Sequence, residues 1–149
     1  MKITICGSTT FRQQMVDFQE KLEQMGHKAI IHHHYVQFVK EGRRDILDRI
    51  EKGEHVQVKK ENDYIRWYHR AIQDSDAVLI LNFDKRGIKN YIGGNTLMEM
   101  GFAYVNGKKI FLINPIPDEV NYKDEIEAME PIILAGDLNR LCDNHSATN

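Results

Sequence analysis

Within "YIGGNTLMEMGFAY", Tyr91 to Tyr104, one acid stands among apolar or small residues: Glu99, flanked by Leu97, Met98, Met100 and Gly101. Two roles fit it. Thr96-Leu97-Met98-Glu99 matches the S/T-x-x-E capping box, with Thr96 as N-cap and Glu99 bonding back to the Thr96 backbone N–H. Alternatively, a carboxylate in apolar surroundings at the ligand edge of a sheet serves as a nucleophile or base. A short contact from Glu99 to the Thr96 N–H would favour the cap.

Other stretches carry chemistry of their own. "CGSTTFR" (Cys6–Arg12) places a glycine after an apolar run, then three hydroxyls and an arginine. A helix N-terminus there would offer free N–H groups to an anion, and Arg12 could grip a phosphate with two hydrogen bonds. The plain alternative is an N-capped turn with a surface arginine. "NFDKRGIKNYIGGNT" (Asn82–Thr96) is long for a strand-to-helix loop, which usually takes about 2–6 residues. Asp84, at the end of the preceding strand, is a candidate for orienting a sugar hydroxyl or a base, or else for capping the turn. Gly93 and Gly94 admit close approach of a ligand, whereas Lys85, Arg86 and Lys89 read as solvated loop charges. The triplet His32–His34 invites a metal reading, but successive strand residues point to opposite faces, so His32 or His34 is assigned to the pocket wall instead. In "IRWYHR" (Ile65–Arg70) the aromatic residues are expected to pack and the arginines to stay in water.

Those residues need elements to hold them. Lys2–Cys6, His27–His34, Asp76–Asp84, Lys108–Pro115 and Pro131–Leu134 read as strands; Asp76–Asp84 is apolar on both faces, as a covered parallel strand should be. Helices are expected over Phe11–Met25 with Gly26 as its stop, Arg44–Lys52, Lys59–Asp74, from Gly94 to about Val105, and Tyr122–Met129. Ile65, Tyr68 and Ile72 are spaced for burial, and residues 35–58 carry little pattern. Alternating strands and helices predict an α/β fold: a parallel sheet of about five strands covered on both faces, with ligands beyond the carboxyl ends of the strands. One domain over residues 1–141 and a polar tail over 142–149 account for the chain. A net charge of −2 argues against binding a nucleic acid polymer, no apolar run reaches membrane-spanning length, and two distant cysteines without a leader segment suggest a cytoplasmic protein with reduced thiols.

"ICGSTTFR", "SDAVLILNFD" and "GGNTLMEMGFAY", in this order and spacing, resemble the nucleoside 2-deoxyribosyltransferase superfamily. The first motif is most similar to that of the 2'-deoxynucleoside 5'-monophosphate N-glycosidases. The resemblance implies a single-domain, flavodoxin-like (Rossmann-like) three-layer sandwich, a homodimer or higher homo-oligomer, a nucleotide or nucleoside substrate, and no metal or redox cofactor. It places Glu99 at the nucleophile, with Asp84 and His69 as candidate acids. It assigns the 5' end of the nucleotide to Gly7, Ser8 and Arg12, with Cys6 and Thr9 also expected at the substrate and Phe11 as the nearest counterpart of an early tyrosine. His32, Tyr68, Asn82, Gly93, Gly94, Asn95 and Thr96 complete the expected pocket. The rival expectation is a nucleotide-binding or sensing module on the same fold. A flavin or nicotinamide reductase fits less well, because the first turn has no GxGxxG.

Overall fold

The computed structural model describes residues 1–144. Five strands, β1 (Lys2–Gly7), β2 (Lys28–Ile30), β3 (Ala77–Leu81), β4 (Lys109–Leu112) and β5 (Ile132–Ile133), form one all-parallel sheet in the order β2-β1-β3-β4-β5. This is the flavodoxin-like arrangement, whose direction of winding reverses between β1 and β3. Eight helices accompany it: α1 (Arg12–Gln24), α2 (His33–Lys40), α3 (Asp45–Glu51), α4 (His55–Asn62), α5 (Tyr64–Gln73), α6 (Gly94–Val105), α7 (Lys123–Ala128) and α8 (Arg140–Asp143). None of the described helices is long and apolar enough to cross a membrane.

The period-2 alternation of the strands divides the core into two halves. Ile3, Ile5, Leu79, Leu81 and Phe111 meet Met15, Val16 and Leu22 of α1 on one face. Cys6, Val78, Ile80, Ile110 and Leu112 meet Tyr68 and Ile72 of α5 and Met100 and Ala103 of α6 on the other. All five residues of β3 are buried, which explains its continuous apolar run. Gly26, at φ 86°, ends α1 as expected.

Several elements differ from the sequence reading. The strand expected over His27–His34 is only Lys28–Ile30, because the His32 side chain accepts the His34 backbone N–H and starts α2. The helix expected over Lys59–Asp74 is broken at Asp63, which takes a left-handed conformation at φ 50° between α4 and α5. Ile65 is therefore 45% exposed, while Tyr68 and Ile72 are buried. The first turn of the helix expected from Phe11 is a 3-10 turn, Thr9–Phe11, and the Phe11 ring is buried edge-on against Phe83 rather than facing a ligand. Cys142 and Asp143 belong to α8, and the rest of the expected tail lies outside the described residues.

Asn82 also has a structural role. Fully buried just past β3, it donates to the carbonyls of Asn114 (3.0 Å) and Pro115 (2.9 Å) and accepts the Asn114 N–H (3.0 Å). Its own carbonyl accepts from the Asn114 side chain at 3.1 Å. It clamps the ends of β3 and β4 together and does not line the pocket. Replacing Asn82 with Ala removes the partner of two partly shielded carbonyls and an N–H, so stability in urea denaturation is expected to fall by about 1–3 kcal/mol.

Candidate active site

The winding reversal leaves a crevice at the carboxyl edge between β1 and β3, and a pocket of about 690 Å³ occupies it. Its walls are built by the turn after β1, by α2, by α3 to α5, and by the loop and first turns of α6. Glu99, Tyr68, Gly7, Ser8, Thr9, Arg12, His32, Gly93, Gly94, Asn95 and Thr96 all line it, as the sequence suggested.

Glu99 does not cap its helix. Gly93 is the N-cap of α6, so Thr96 lies inside the first turn and Glu99 in the second. The Glu99 Oε2 is shielded from solvent and has no hydrogen-bond partner among the described residues. Burial pushes its pKa up to about 8, while a hydrogen bond from the Cys6 thiol and the charge of Lys59 pull it down. Cys6 itself is fully buried and is not part of the pocket wall; it supports Glu99 from behind. Burial, with the neighbouring Glu99 charge and hydrogen bond, holds the Cys6 thiol well above its ordinary range, so it stays a donor.

Ser8 starts the 3-10 turn: its Oγ accepts the Thr10 N–H at 3.3 Å, and its carbonyl accepts the Phe11 N–H at 2.8 Å. Arg12 donates from Nη1 to the Thr9 carbonyl at 3.2 Å, which folds the guanidinium over this turn. Gly7 is required by packing, since a Cβ there would lie 3.1 Å from the Leu81 carbonyl oxygen. At Gly93 a Cβ would meet the Tyr91 hydroxyl at 2.8 Å, whereas at Gly94 no protein atom lies within 4 Å.

Asp84 and His69 do not reach the pocket. Asp84 accepts the Asn90 N–H at 3.0 Å and ties the loop to itself, the turn role that was its alternative. The His69 ring packs on Phe102 with centroids 4.9 Å apart. Position at a strand end set the level of Asp84 but not its direction.

The three histidines do converge, contrary to the strand argument, with ring nitrogens within 4.8 Å of one another. His32 is nevertheless poorly suited to a metal. Its Nδ1 already accepts the His34 backbone N–H at 3.1 Å, so the neutral ring carries its proton on Nε2 and would have to become imidazolate to ligate there. Burial, with His34 and His33 adding to it, lowers the His32 pKa to about 3 and keeps the ring neutral. His34 pairs through Nδ1 with the Tyr64 hydroxyl at 2.7 Å. His32 therefore serves as a fixed neutral N–H donor on the pocket wall.

Two residues escaped the sequence reading. Tyr35, from the patternless region, lines the pocket alongside Thr9 and Glu99, and burial raises its pKa. Lys85, taken for a solvated charge, turns inward and donates to Ser8 Oγ at 2.8 Å. Tyr122 also proves structural, donating to the Ile92 carbonyl beneath the glycine pair at 2.5 Å.

No family model matches the sequence, and no curated protein or solved structure matches it.

The raised pKa of Glu99 carries a stability consequence. A carboxyl whose pKa rises from the ordinary 4.5 to about 8 on folding contributes stability that is fully present below about pH 4.5 and lost as pH rises through 8. Glu99→Gln avoids that loss. Urea denaturation at pH 5 and pH 9 is expected to show the variant gaining on wild type by about 2–4 kcal/mol at the higher pH. Parallel pH dependences would contradict the burial of an ionisable carboxyl.

Proposed function

We propose that the protein cleaves the N-glycosidic bond of a (deoxy)nucleoside 5'-monophosphate, with Glu99 as nucleophile. The observation that carries this reading is the half-buried Glu99, whose Oε2 is shielded from solvent and unpaired among the described residues, in a pocket that also holds the Ser8–Arg12 turn. The sequence resemblance to the deoxyribosyltransferase superfamily supports the same assignment.

In this mechanism the Glu99 carboxylate attacks the anomeric carbon as the C–N bond breaks through an oxocarbenium-like state. The bonding electrons leave with the base, and a glycosyl ester forms on Glu99. Water then attacks the anomeric carbon, releases the sugar phosphate, and supplies the proton that the free base finally carries; a second base in place of water gives transfer. Asp84 and His69 lie outside the pocket, so neither donates to the departing base. His32 offers its Nε2–H as a hydrogen bond to the base, and the Cys6 thiol donates to the carboxyl. Tyr104 and Val105, 54% and 78% exposed on α6, support the expected homo-oligomer.

A nucleophile must be ionised, so activity is expected to rise with pH toward about 8. Base release from a panel of nucleoside 5'-monophosphates, followed by chromatography, should fall at least about 10³-fold in Glu99→Gln. Equal release by both proteins would rule out this mechanism.

A second reading, a nucleotide-binding module, is favoured by the burial that raises the Glu99 pKa to about 8, since a protonated carboxyl is a poor nucleophile. Thermal stabilisation by nucleotides with no base release even at pH 9 would select it.

A further inference from the structure

Lys85 is the least expected charge in the pocket. A loop lysine normally leaves its ammonium in water, where hydration is strongest. Here the chain turns back on itself instead. Lys85 and Ile88 exchange backbone hydrogen bonds of 3.0 and 2.9 Å, and Arg86 and Gly87 between them take φ of 52° and 75°. Two central residues with positive φ make the tight two-residue hairpin turn. Tyr91 N–H to the Phe83 carbonyl (2.9 Å) and Asn90 N–H to Asp84 (3.0 Å) close the base of this hairpin.

The hairpin aims the Lys85 ammonium at Ser8, 2.8 Å from Oγ, with the Tyr91 ring centroid 5.1 Å away. The ammonium is half-buried, and no carboxylate among the described residues pairs with it. It thus bears a desolvation cost against neutral partners only, an arrangement that an anion would complete. Arg12 lies over the same turn through the Thr9 carbonyl and keeps further guanidinium donors free for a shared ligand.

We propose that Lys85 is a specificity-determining phosphate ligand: with Ser8 and Arg12 it binds the 5'-phosphate and makes the site select phosphorylated over free nucleosides. This rests on the glycosidase reading for the identity of the ligand and goes beyond it in assigning the selectivity to a loop other than the first turn. Burial and the nearby Arg86 lower the Lys85 pKa, consistent with an ammonium that lacks its counter-charge.

The test is calorimetric binding to wild type, K85M and K85R of the four deoxynucleoside 5'-monophosphates, the matching deoxynucleosides, and inorganic phosphate alone. K85M keeps a long unbranched side chain without the charge, and K85Q substitutes for it if K85M does not fold. Wild type is expected to prefer the monophosphates by about 10- to 100-fold, K85M to lose most of that preference with nucleoside binding unchanged, and K85R to retain it. Inorganic phosphate should compete with wild type and not with K85M. An undiminished preference in K85M, or no preference in wild type, would overturn the assignment. Base release, scored separately, distinguishes the two proposals: Lys85-dependent binding without base release leaves the assignment intact and removes the glycosidase reading. Base release without phosphate preference does the reverse.

Discussion

The site depends on shielding an oxygen of one carboxyl group from water. A buried carboxylate with no cation against it is costly, and the usual relief is to take up a proton. Glu99 sits in that situation: Cys6 supplies a single donor from the end of β1, Lys59 contributes only at a distance, and Oε2 has no partner among the described residues. Three structural facts create the arrangement. β1 ends at the winding reversal, α6 begins at Gly94 after the Gly93 N-cap so that Glu99 falls in its second turn, and Tyr35 of α2 and Tyr68 of α5 line the pocket with it.

The roof over this group is built differently from the floor. The floor is the sheet edge, anchored by the Asn82 clamp and by two extended apolar clusters. The roof is α2 to α4, which share only a small cluster of Phe38, Ile46, Leu47 and Val58. Its surface is held by exposed ion pairs such as Arg49–Glu61 and Arg44–Glu51, and such pairs add little stability each. Local opening is therefore expected to cost less there than at the sheet edge.

Much of this was legible in the sequence, for physical reasons. β1, β3 and β4 announced themselves as apolar runs because parallel strands covered on both faces must be apolar throughout. Glu99 stood out because its neighbours at Leu97, Met98 and Met100 left it no polar company. What sequence does not encode locally is side-chain direction at loop and helix ends. Lys85 looks inward only because Arg86 and Gly87 reverse the chain, and Asp84 looks outward because Asn90 offers it an N–H. The histidine triplet was misread as strand because His32 satisfies a helix N-terminus with its ring, a role that alternation along a strand cannot anticipate. Tyr35 was missed because α2 to α4 pack on each other and on the pocket, leaving no clean amphipathic period to read.

The most direct test of the account is the ionisation of Glu99 itself in the ligand-free protein. Carbon-detected NMR of a protein labelled at the glutamate side chains, with Glu99→Gln to assign the signal, follows the carboxyl shift across pH. The account predicts a midpoint near 8, far above that of the exposed glutamates. A midpoint at the ordinary value of 4.5 would contradict it, because the carboxyl would then be hydrated or paired and not held in reserve for a ligand.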